Sequence, residues 1–489
     1  MIDKYSFQKT SFFKMLVLMM LLLSAKAHPQ NYIHEGNISL SNQIQVNNFA
    51  NTYSDITVIV GNLLIGNYAQ ETNITDLTPL TKLLEVKGVL TIVNTNITTL
   101  QGLHKLLETN YLVIANNDKL YSLMAISQLE KVYGSLQIDA NPSLENLEGL
   151  ENIISVGDSL NGYLQVYNNI GLKTLEGLNA LQIVGNNVNI SFNDSLNSLG
   201  ALSSMKGIGA SLILRSNPRI TTLSGLENID FLGSTMVIES NHGLTELQNL
   251  GSLDSVHSLK IIDNNGLNTL NGLQNLVHIE QNLEILANDA LYSLTGLENL
   301  KKVNGSLEIK DNPTLENLVG FDALSAVKST FAVVNNQKFS SFNGLRLDFN
   351  AGGVEIINNP LLFACAENFV CEAIRDGRYV YVLNNASGCE NKEEIEKSCG
   401  VSGIDRGSEL NPLLNAYLGQ DGILHIDFTE KWNGRLTVVD ITGRVLESKK
   451  INSNRSLQIP YHQGNYGLIF LRFEKDDMIS VQKIMVMYQ

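Results

Sequence analysis

The sequence predicts a mainly β protein in which a long parallel β-solenoid precedes a small antiparallel β-sandwich. Three observations lead to this prediction. A unit of about 24 residues recurs through most of the chain. Inside each unit, apolar residues first alternate with polar ones and then recur at every third position. Near the C-terminus this repeat ends, and short alternating segments separated by turn residues replace it.

The first residues have the pattern of an export signal. Three lysines precede an apolar run over residues 15–23, and Ala25 and Ala27 form a small-x-small cleavage pattern. Nine apolar residues are too few to cross the ~30 Å hydrocarbon core of a bilayer. We therefore predict that residues 1–27 are a cleaved signal peptide, and that the mature chain has no transmembrane segment.

Residues 28–61 are predicted to cap the first coil of the solenoid. A cap is needed because the end coil of a solenoid exposes an apolar face and an open sheet edge. We expect a short helix with Ser41 as its N-cap and with Ile44, Val46 and Phe49 as its apolar contacts.

Residues 62–360 are predicted to form the solenoid itself. The pattern of residues 135–144 returns in outline at 211–218 and at 306–313. Its alternating start predicts a short strand in the same place in every coil, and such strands stack into a parallel sheet with ~4.8 Å between coils. Thirteen coils are predicted, beginning at residues 62, 89, 111, 135, 163, 187, 211, 235, 258, 282, 306, 330 and 353.

Two residue types recur at fixed positions after the first strand of a coil. An asparagine amide both donates and accepts, so stacked copies are expected to bond to the turn backbone and to one another, in a corner whose backbone angles asparagine tolerates. Glycine is expected at a second corner, where a side chain would crowd the turn. The asparagines are Asn117, Asn141, Asn169, Asn193, Asn217, Asn241, Asn264, Asn288, Asn312, Asn336 and Asn359. The glycines are Gly149, Gly177, Gly225, Gly272, Gly296, Gly320 and Gly344.

Residues 361–399 are predicted to be a disulfide-stapled C-terminal cap, with a short helix over 366–375 and a strand over 379–383. The chain has four cysteines, and all of them lie in this segment. An even, clustered set in an exported protein predicts two disulfides, with three pairings possible. Zinc is disfavoured because no CxxC pair is present. The cysteines are Cys365, Cys371, Cys389 and Cys399.

The last part of the chain has a different character. Residues 400–414 are rich in Gly, Ser and Asn, which predicts a linker. Residues 415–489 are predicted to form the β-sandwich, with turns at Asn433–Gly434 and Thr442–Gly443. Its strands are predicted at residues 423–428, 436–441, 457–460, 468–473 and 480–487.

The repeat resembles that of receptor L-domains, which are relatives of leucine-rich repeats. The resemblance covers residues 32 to 399 and implies a right-handed β-helix that uses one face to recognise ligands. Thirteen coils exceed a single such domain, so one long solenoid and two fused units are both possible. The resemblance is carried by Leu136, Ile138, Asn141, Pro142, Leu144, Leu147, Gly149, Leu150, Ile153 and Val156, and by the entry residues 36–40 and 53–56.

The C-terminal segment resembles the type A C-terminal sorting domain of Bacteroidetes type IX secretion. The resemblance implies export across the outer membrane, contact with the type IX secretion machinery through residues 415–489, and a secreted or outer-surface location. The usual Tyr-Pro-Asn-Pro opening is reduced here to Asn411 and Pro412. A carbohydrate site on Trp432 is a less favoured alternative for this domain. The matching residues are 422–428 and 440–445, with Gly464, Asn465, Tyr466 and Lys483.

Charge and motifs argue against several function classes. The net charge of −15 disfavours nucleic acid and anionic lipid as partners. No serine-nucleophile elbow, phosphate-binding loop or closely spaced histidine pair occurs. We therefore expect no catalytic residues, no metal, no cofactor and no enzymatic activity. Glu284 and Glu308 occupy equivalent positions of adjacent coils, as the paired acids of a β-helix glycosidase would, but Lys260 and Lys310 are expected to neutralise them.

The predicted function is ligand binding or adhesion outside the cell, with an unknown extracellular protein or glycan as the ligand. The alternatives are a secreted polysaccharide-active β-helix enzyme and a structural surface-layer protein. Outward strand positions are the candidate binding residues, because their side chains have no role in the core and include typical interface anchors. That Tyr167 and Phe192 only cover coil corners is an equally open alternative. The candidates are Gln137, Asp139, Gln165, Tyr167, Asn189, Phe192, Arg215, Glu239 and Lys260.

Overall fold

The computed structural model of the chain consists of two compact units, residues 1–394 and residues 395–489. The predicted signal peptide and most of the predicted linker lie outside the residues that the structure describes. These are residues 32–157, 161–250, 252–400, 414–418, 423–440, 445–460, 467–475 and 478–486.

The first unit is a parallel β-solenoid, as predicted. One strand of each coil joins a continuous main sheet, in which Leu136 pairs with Leu164 and Leu164 pairs with Val188. This sheet begins before the predicted first coil and extends beyond the predicted last one. Its strands are Ile38–Leu40, Leu63–Gly66, Glu85–Val93, Glu108–Ala115, Leu136–Asp139, Leu164–Tyr167, Val188–Ser191, Leu212–Arg215, Thr235–Glu239, Ser258–Ile262, Leu283–Leu286, Leu307–Lys310, Ala326–Val334, Asn350–Ile357 and Tyr379–Leu383.

A second parallel ladder, which the sequence did not predict, lies just before the main sheet in each coil. Four long strands of the main sheet, such as Glu85–Val93, run through both ladders with a register shift between them. Most of the other strands are two residues long, too short to produce a periodic pattern. They are Ile33–Glu35, Val58–Val60, Lys131–Val132, Ser155–Val156, Ile183–Val184, Gly207–Ile208, Phe231–Leu232, Ser255–Val256, His278–Ile279 and Lys302–Val303.

The solenoid core is mainly aliphatic, with fully buried phenylalanines such as Phe331 only in its last coils. Leu136 and Ile138 are fully buried, whereas the alternating neighbours Gln137 and Asp139 are half-buried on the outer side. The residues at three-residue steps, Leu144, Leu147, Leu150, Ile153 and Val156, are also fully buried. The steps therefore mark successive sides of the coil, each of which directs a side chain inward.

The predicted asparagine ladder is confirmed. Asn141 Nδ2 donates to the carbonyl oxygen of Ile114 on the preceding coil and to that of Asp139, at 3.0 Å each. The ladder continues one step further than predicted, because Asn359 N–H donates to Asn385 Oδ1 at 2.9 Å. One detail of the prediction was wrong. The left-handed backbone belongs to the residue before the ladder asparagine, such as Ala140 with φ of 51°.

The glycine corner is confirmed as well. Gly149 has φ of +116°, and a Cβ atom there would lie 2.2 Å from the carbonyl oxygen of Leu123 on the preceding coil. Glycine therefore allows adjacent coils to approach closely. Three coils turn this corner with a 3-10 helix instead, at Thr78–Leu80, Met124–Ile126 and Gly200–Leu202.

The N-terminal cap has two short helices, Gln43–Asn47 and Phe49–Thr52. Val46 and Phe49 are buried as predicted. Two details of the prediction were wrong. The N-cap is Asn42, whose side chain accepts a hydrogen bond from Gln45 N–H at 3.1 Å, because it directly precedes the first helical turn. Ile44 is 69% exposed, because a five-residue helix buries only one side.

The C-terminal cap closes the core with aromatic rings. Its helices are Asn368–Arg375 and Lys392–Ser398. Phe369 packs edge-to-face against Phe331 and Phe349, with ring centroids 5.7 and 5.1 Å apart. The predicted strand is present, but Tyr379–Leu383 continues the main sheet by pairing in parallel with Asn350–Ile357.

The prediction that the four cysteines form disulfides is confirmed, and the partners of one bond are assigned. Cys365 is bonded to Cys389, with 5.3 Å between their Cα atoms. Cys371 and Cys399 are also disulfide-bonded. The first of these bonds joins the segment after the last predicted coil to the loop after the final main-sheet strand.

The second unit contains an antiparallel sheet of five strands. The predicted turn at Asn433–Gly434 is wrong, because the strand continues through it with register shifts on both sides of Trp432. The turn at Thr442–Gly443 lies outside the described residues. The strands are Leu414–Leu418, Ile423–Asp440, Val445–Pro460, Gly467–Lys475 and Met478–Val486. Their buried core is Leu424, Ile426, Phe428, Leu436, Val438, Ile451, Ile459, Leu471 and Phe473.

Candidate ligand-binding face

The outer side of the main sheet carries two columns of side chains, because alternate residues of each strand point outward. Strand register aligns the columns across coils. The first column contains the candidates Gln137, Gln165, Asn189 and Lys260. The second column contains the candidates Asp139, Tyr167, Arg215 and Glu239.

Phe192 is the one candidate that does not occupy an outward strand position. It follows the strand Val188–Ser191 directly and has φ of 59°, which places it at the coil corner. The expectation of a strand position was wrong because the strand ends one residue earlier. Phe192 still contacts the second column, since its ring lies edge-to-face against Tyr167 with centroids 5.2 Å apart. Both residues are partly accessible, with exposed fractions of 37% for Phe192 and 38% for Tyr167.

Asp139 organises the amides around it. Its Oδ2 atom accepts hydrogen bonds from Gln137 Nε2 and, at 2.7 Å, from Gln165 Nε2 on the next coil. Burial raises the pKa of this carboxyl, while the hydrogen bonds from Gln137 and Gln165 act in the opposite direction. The carboxylate therefore fixes two glutamine side chains in one orientation.

Tyrosines that the sequence analysis missed border the same area. Tyr163 donates from its hydroxyl to Gln137 Oε1 at 3.2 Å, and 37% of its surface is exposed. Burial raises its pKa, and so does the nearby charge of Asp139. Tyr111 and Tyr163 occupy equivalent repeat positions, because each directly precedes a leucine, Leu112 or Leu164, that pairs with Leu136. That shared repeat position was a signal that could have identified them.

A further tyrosine lies between the two ladders. Tyr133 donates from its hydroxyl to Glu108 Oε2 at 2.7 Å, and Lys131 Nζ lies 2.8 Å from Glu108 Oε1. Lys131 Nζ also lies 5.9 Å from the centroid of the Tyr133 ring. The lysine and the glutamate therefore neutralise each other beside the tyrosine.

Further along the solenoid, the charged outward residues form ion pairs. Arg215 contacts Glu239 at 2.7 Å, and Lys260 contacts Glu284 at 2.8 Å. Glu284 and Glu308 are opposite each other in adjacent strands, as their sequence positions predicted. Glu308 is paired with Lys310 at 2.8 Å. Glu284 and Glu308, the possible pair of glycosidase acids, therefore each have a lysine partner.

One comparison with known proteins identifies the C-terminal segment. Residues 420–487 match the family described as the secretion system C-terminal sorting domain. This confirms the resemblance to a sorting domain, while its assignment to type A stays a prediction. Of the matching residues, 422, 441–444 and 464–466 lie outside the described part of the chain. No curated protein matches the chain. The receptor L-domain resemblance of the repeats stays a prediction, as does the signal peptide. Within the described residues, no helix has the length and apolar character needed to span a membrane.

Proposed function

We propose that this protein, which type IX secretion delivers to the medium or the outer cell surface through its C-terminal sorting domain, is a non-catalytic ligand-binding or adhesion protein. The observation that supports the proposal is the outer side of its main sheet, from Leu136–Asp139 to Ser258–Ile262. There, aromatic, amide and ion-paired side chains stand in register on a continuous sheet. Aromatic residues and arginine are frequent anchors at binding interfaces.

The rigidity of the scaffold also supports recognition. Each strand of this region is paired on both sides, and a buried asparagine fixes the corner behind it. Outward side chains are therefore held in place before a ligand arrives. Preorganisation of this kind reduces the entropy lost on binding.

The ion pairs weigh against the glycosidase alternative. Such an enzyme directs two carboxyl groups at the bond to be cleaved. Here Lys260 contacts Glu284 and Lys310 contacts Glu308, both at 2.8 Å. We infer that these acids balance lysine charges on the sheet surface.

Array binding by the purified mature protein tests the proposal. We expect binding to glycans or peptides on an array to be lost when Tyr167→Ala and Arg215→Ala are combined. Tyr292→Ala is the matched control, because this tyrosine is exposed but lies outside both columns. Equal binding by the double variant and the control would contradict the proposed face.

A turnover assay on soluble polysaccharides tests the non-catalytic part of the proposal. We expect no product from the mature protein. Product formation that disappears in the Glu284→Gln/Glu308→Gln variant would overturn the proposal in favour of a polysaccharide-active enzyme.

A further inference from the structure

We infer that one part of this face binds an uncharged polysaccharide laid across three successive strands. This inference rests on the proposed function and specifies its ligand. The site, called the tyrosine patch below, lies on the strands Leu136–Asp139, Leu164–Tyr167 and Val188–Ser191 and on the residues beside them. It consists of Gln137, Tyr163, Gln165, Tyr167, Asn189 and Phe192.

The patch offers aromatic surface at both ends of one strand. Tyr163 stands just before Leu164–Tyr167, and Tyr167 is the last residue of that strand. Phe192 supports Tyr167 through the edge-to-face contact at 5.2 Å, which limits the motion of a partly exposed ring. Pyranose rings have apolar C–H faces that pack against such aromatic side chains. The ends of the strand can therefore hold the apolar faces of sugars.

Amide groups lie between these aromatic ends. Gln165 donates one amide hydrogen to Asp139. Its Oε1 atom and its other amide hydrogen have no hydrogen-bond partner among the described residues. The Oδ1 atom of Asn189 accepts a hydrogen bond from the hydroxyl of Ser191. Its Nδ2 atom donates to none of the described residues. Sugar hydroxyls donate and accept, so they complement an amide surface that does both.

The charge of the area selects against acidic glycans. Among the described residues in and around the patch, Lys131 is paired with Glu108 and Arg215 with Glu239. Asp139 contributes a carboxylate beneath the amides. A carboxylated or sulfated polymer would meet this negative group and a chain of net charge −15. A neutral polymer meets no such repulsion.

The register of the sheet favours a polymer over a single sugar. Gln137, Gln165 and Asn189 are aligned on consecutive strands. Strand spacing places them across ~10 Å along the solenoid axis. Consecutive sugar units laid along that axis would each meet an amide side chain.

Affinity gel electrophoresis of the full chain tests this inference. Native gels would contain mixed-linkage β-glucan, xyloglucan or galactomannan as neutral probes, and polygalacturonate as the anionic probe. We expect retardation by at least one neutral polymer and none by polygalacturonate. The retardation should weaken about tenfold in Tyr167→Ala and in Gln165→Ala. It should persist in Tyr167→Phe, which keeps the ring, and in the control Tyr292→Ala.

The outcomes separate this inference from the proposed function. Absence of retardation by all three neutral polymers, or retardation that Tyr167→Ala leaves unchanged, would overturn the polysaccharide inference. If peptide-array binding is then still lost in the Tyr167→Ala/Arg215→Ala variant, the proposed binding face is supported and its ligand is a protein. If neither assay responds to these substitutions, both proposals fail. Circular dichroism of each variant establishes that it is folded.

Discussion

The side-chain oxygen of Asn217 accepts a hydrogen bond from the main-chain N–H of Asn193, one coil earlier, at 3.2 Å. Its Nδ2 donates to the carbonyl oxygens of Ile190 at 2.9 Å and Arg215 at 3.0 Å. Asn217 itself is fully buried, and its bonds to Asn193 and Ile190 lie in the interior. One amide thus satisfies backbone groups of two coils, which lets a sharp corner lie inside the protein without unpaired polar groups.

Replacing a ladder asparagine should therefore destabilise the solenoid strongly. In Asn217→Ala the N–H of Asn193 and the carbonyl oxygen of Ile190 lose their buried partner, and we expect a loss of about 2–4 kcal/mol. Asn197→Ala is the matched control, since Asn197 is exposed and should change stability by no more than about 0.5 kcal/mol. Urea denaturation followed by circular dichroism measures both. Similar unfolding midpoints for the two variants would contradict the structural role of the ladder.

The ladder and the core could be predicted from the sequence because they repeat. A side chain such as Ile138 or Asn141 occurs in the same position in coil after coil, so each copy reinforces the prediction. The second sheet could not be predicted in this way, because two-residue strands such as Ile183–Val184 have no period. Likewise, the strand through Gly434 continues by register shifts, which depend on its partner strand and not on local turn propensity.

The candidate face was predicted only in part, for a related physical reason. Outward strand positions follow from alternation, and this placed Gln165 and Tyr167 correctly in the two columns. The hydrogen bonds that join Gln137, Tyr163 and Asp139 depend on side-chain conformations between coils. Alternation carries no information about these. The repeat does not predict the identity of the ligand, because that depends on surface side chains that differ from coil to coil.

One coil has an imperfect corner, and repairing it should stabilise the protein. Asn249 has φ of +79° at the position where the preceding and following coils have Gly225 and Gly272. Glycine adopts this backbone region without the cost that a side chain adds. We expect Asn249→Gly to raise stability by about 0.5–1 kcal/mol and Asn249→Ala to lower it. Thermal unfolding of the two variants measures this, and a lower midpoint for the glycine variant would show that the asparagine side chain is needed.

The carboxyl group of Asp139 should make stability depend on pH. Because burial raises its pKa in the folded state, the folded protein binds this proton more tightly than the unfolded chain does. Protonation of Asp139 therefore stabilises the folded state as the pH falls through its folded pKa. This contribution to stability is lost as the pH rises above that pKa.

The matched variant Asp139→Asn isolates this effect from all other acids. We expect the stability of the wild type relative to Asp139→Asn to increase as the pH is lowered from about 7 to about 4. Urea denaturation of both proteins across this range measures the difference. A difference that stays constant, or that changes in the opposite direction, would mean that burial does not control this carboxyl group.

The disulfide between Cys365 and Cys389 should stabilise the end of the solenoid and little else. It closes a loop with a sequence separation of 24, for which chain entropy predicts about 3.5 kcal/mol. Coils of a solenoid contact only their neighbours, so the loss in Cys365→Ser/Cys389→Ser should stay local. Hydrogen exchange should become faster in Tyr379–Leu383 and remain unchanged in Leu164–Tyr167. Faster exchange in both strands would show instead that the whole solenoid unfolds as one cooperative unit.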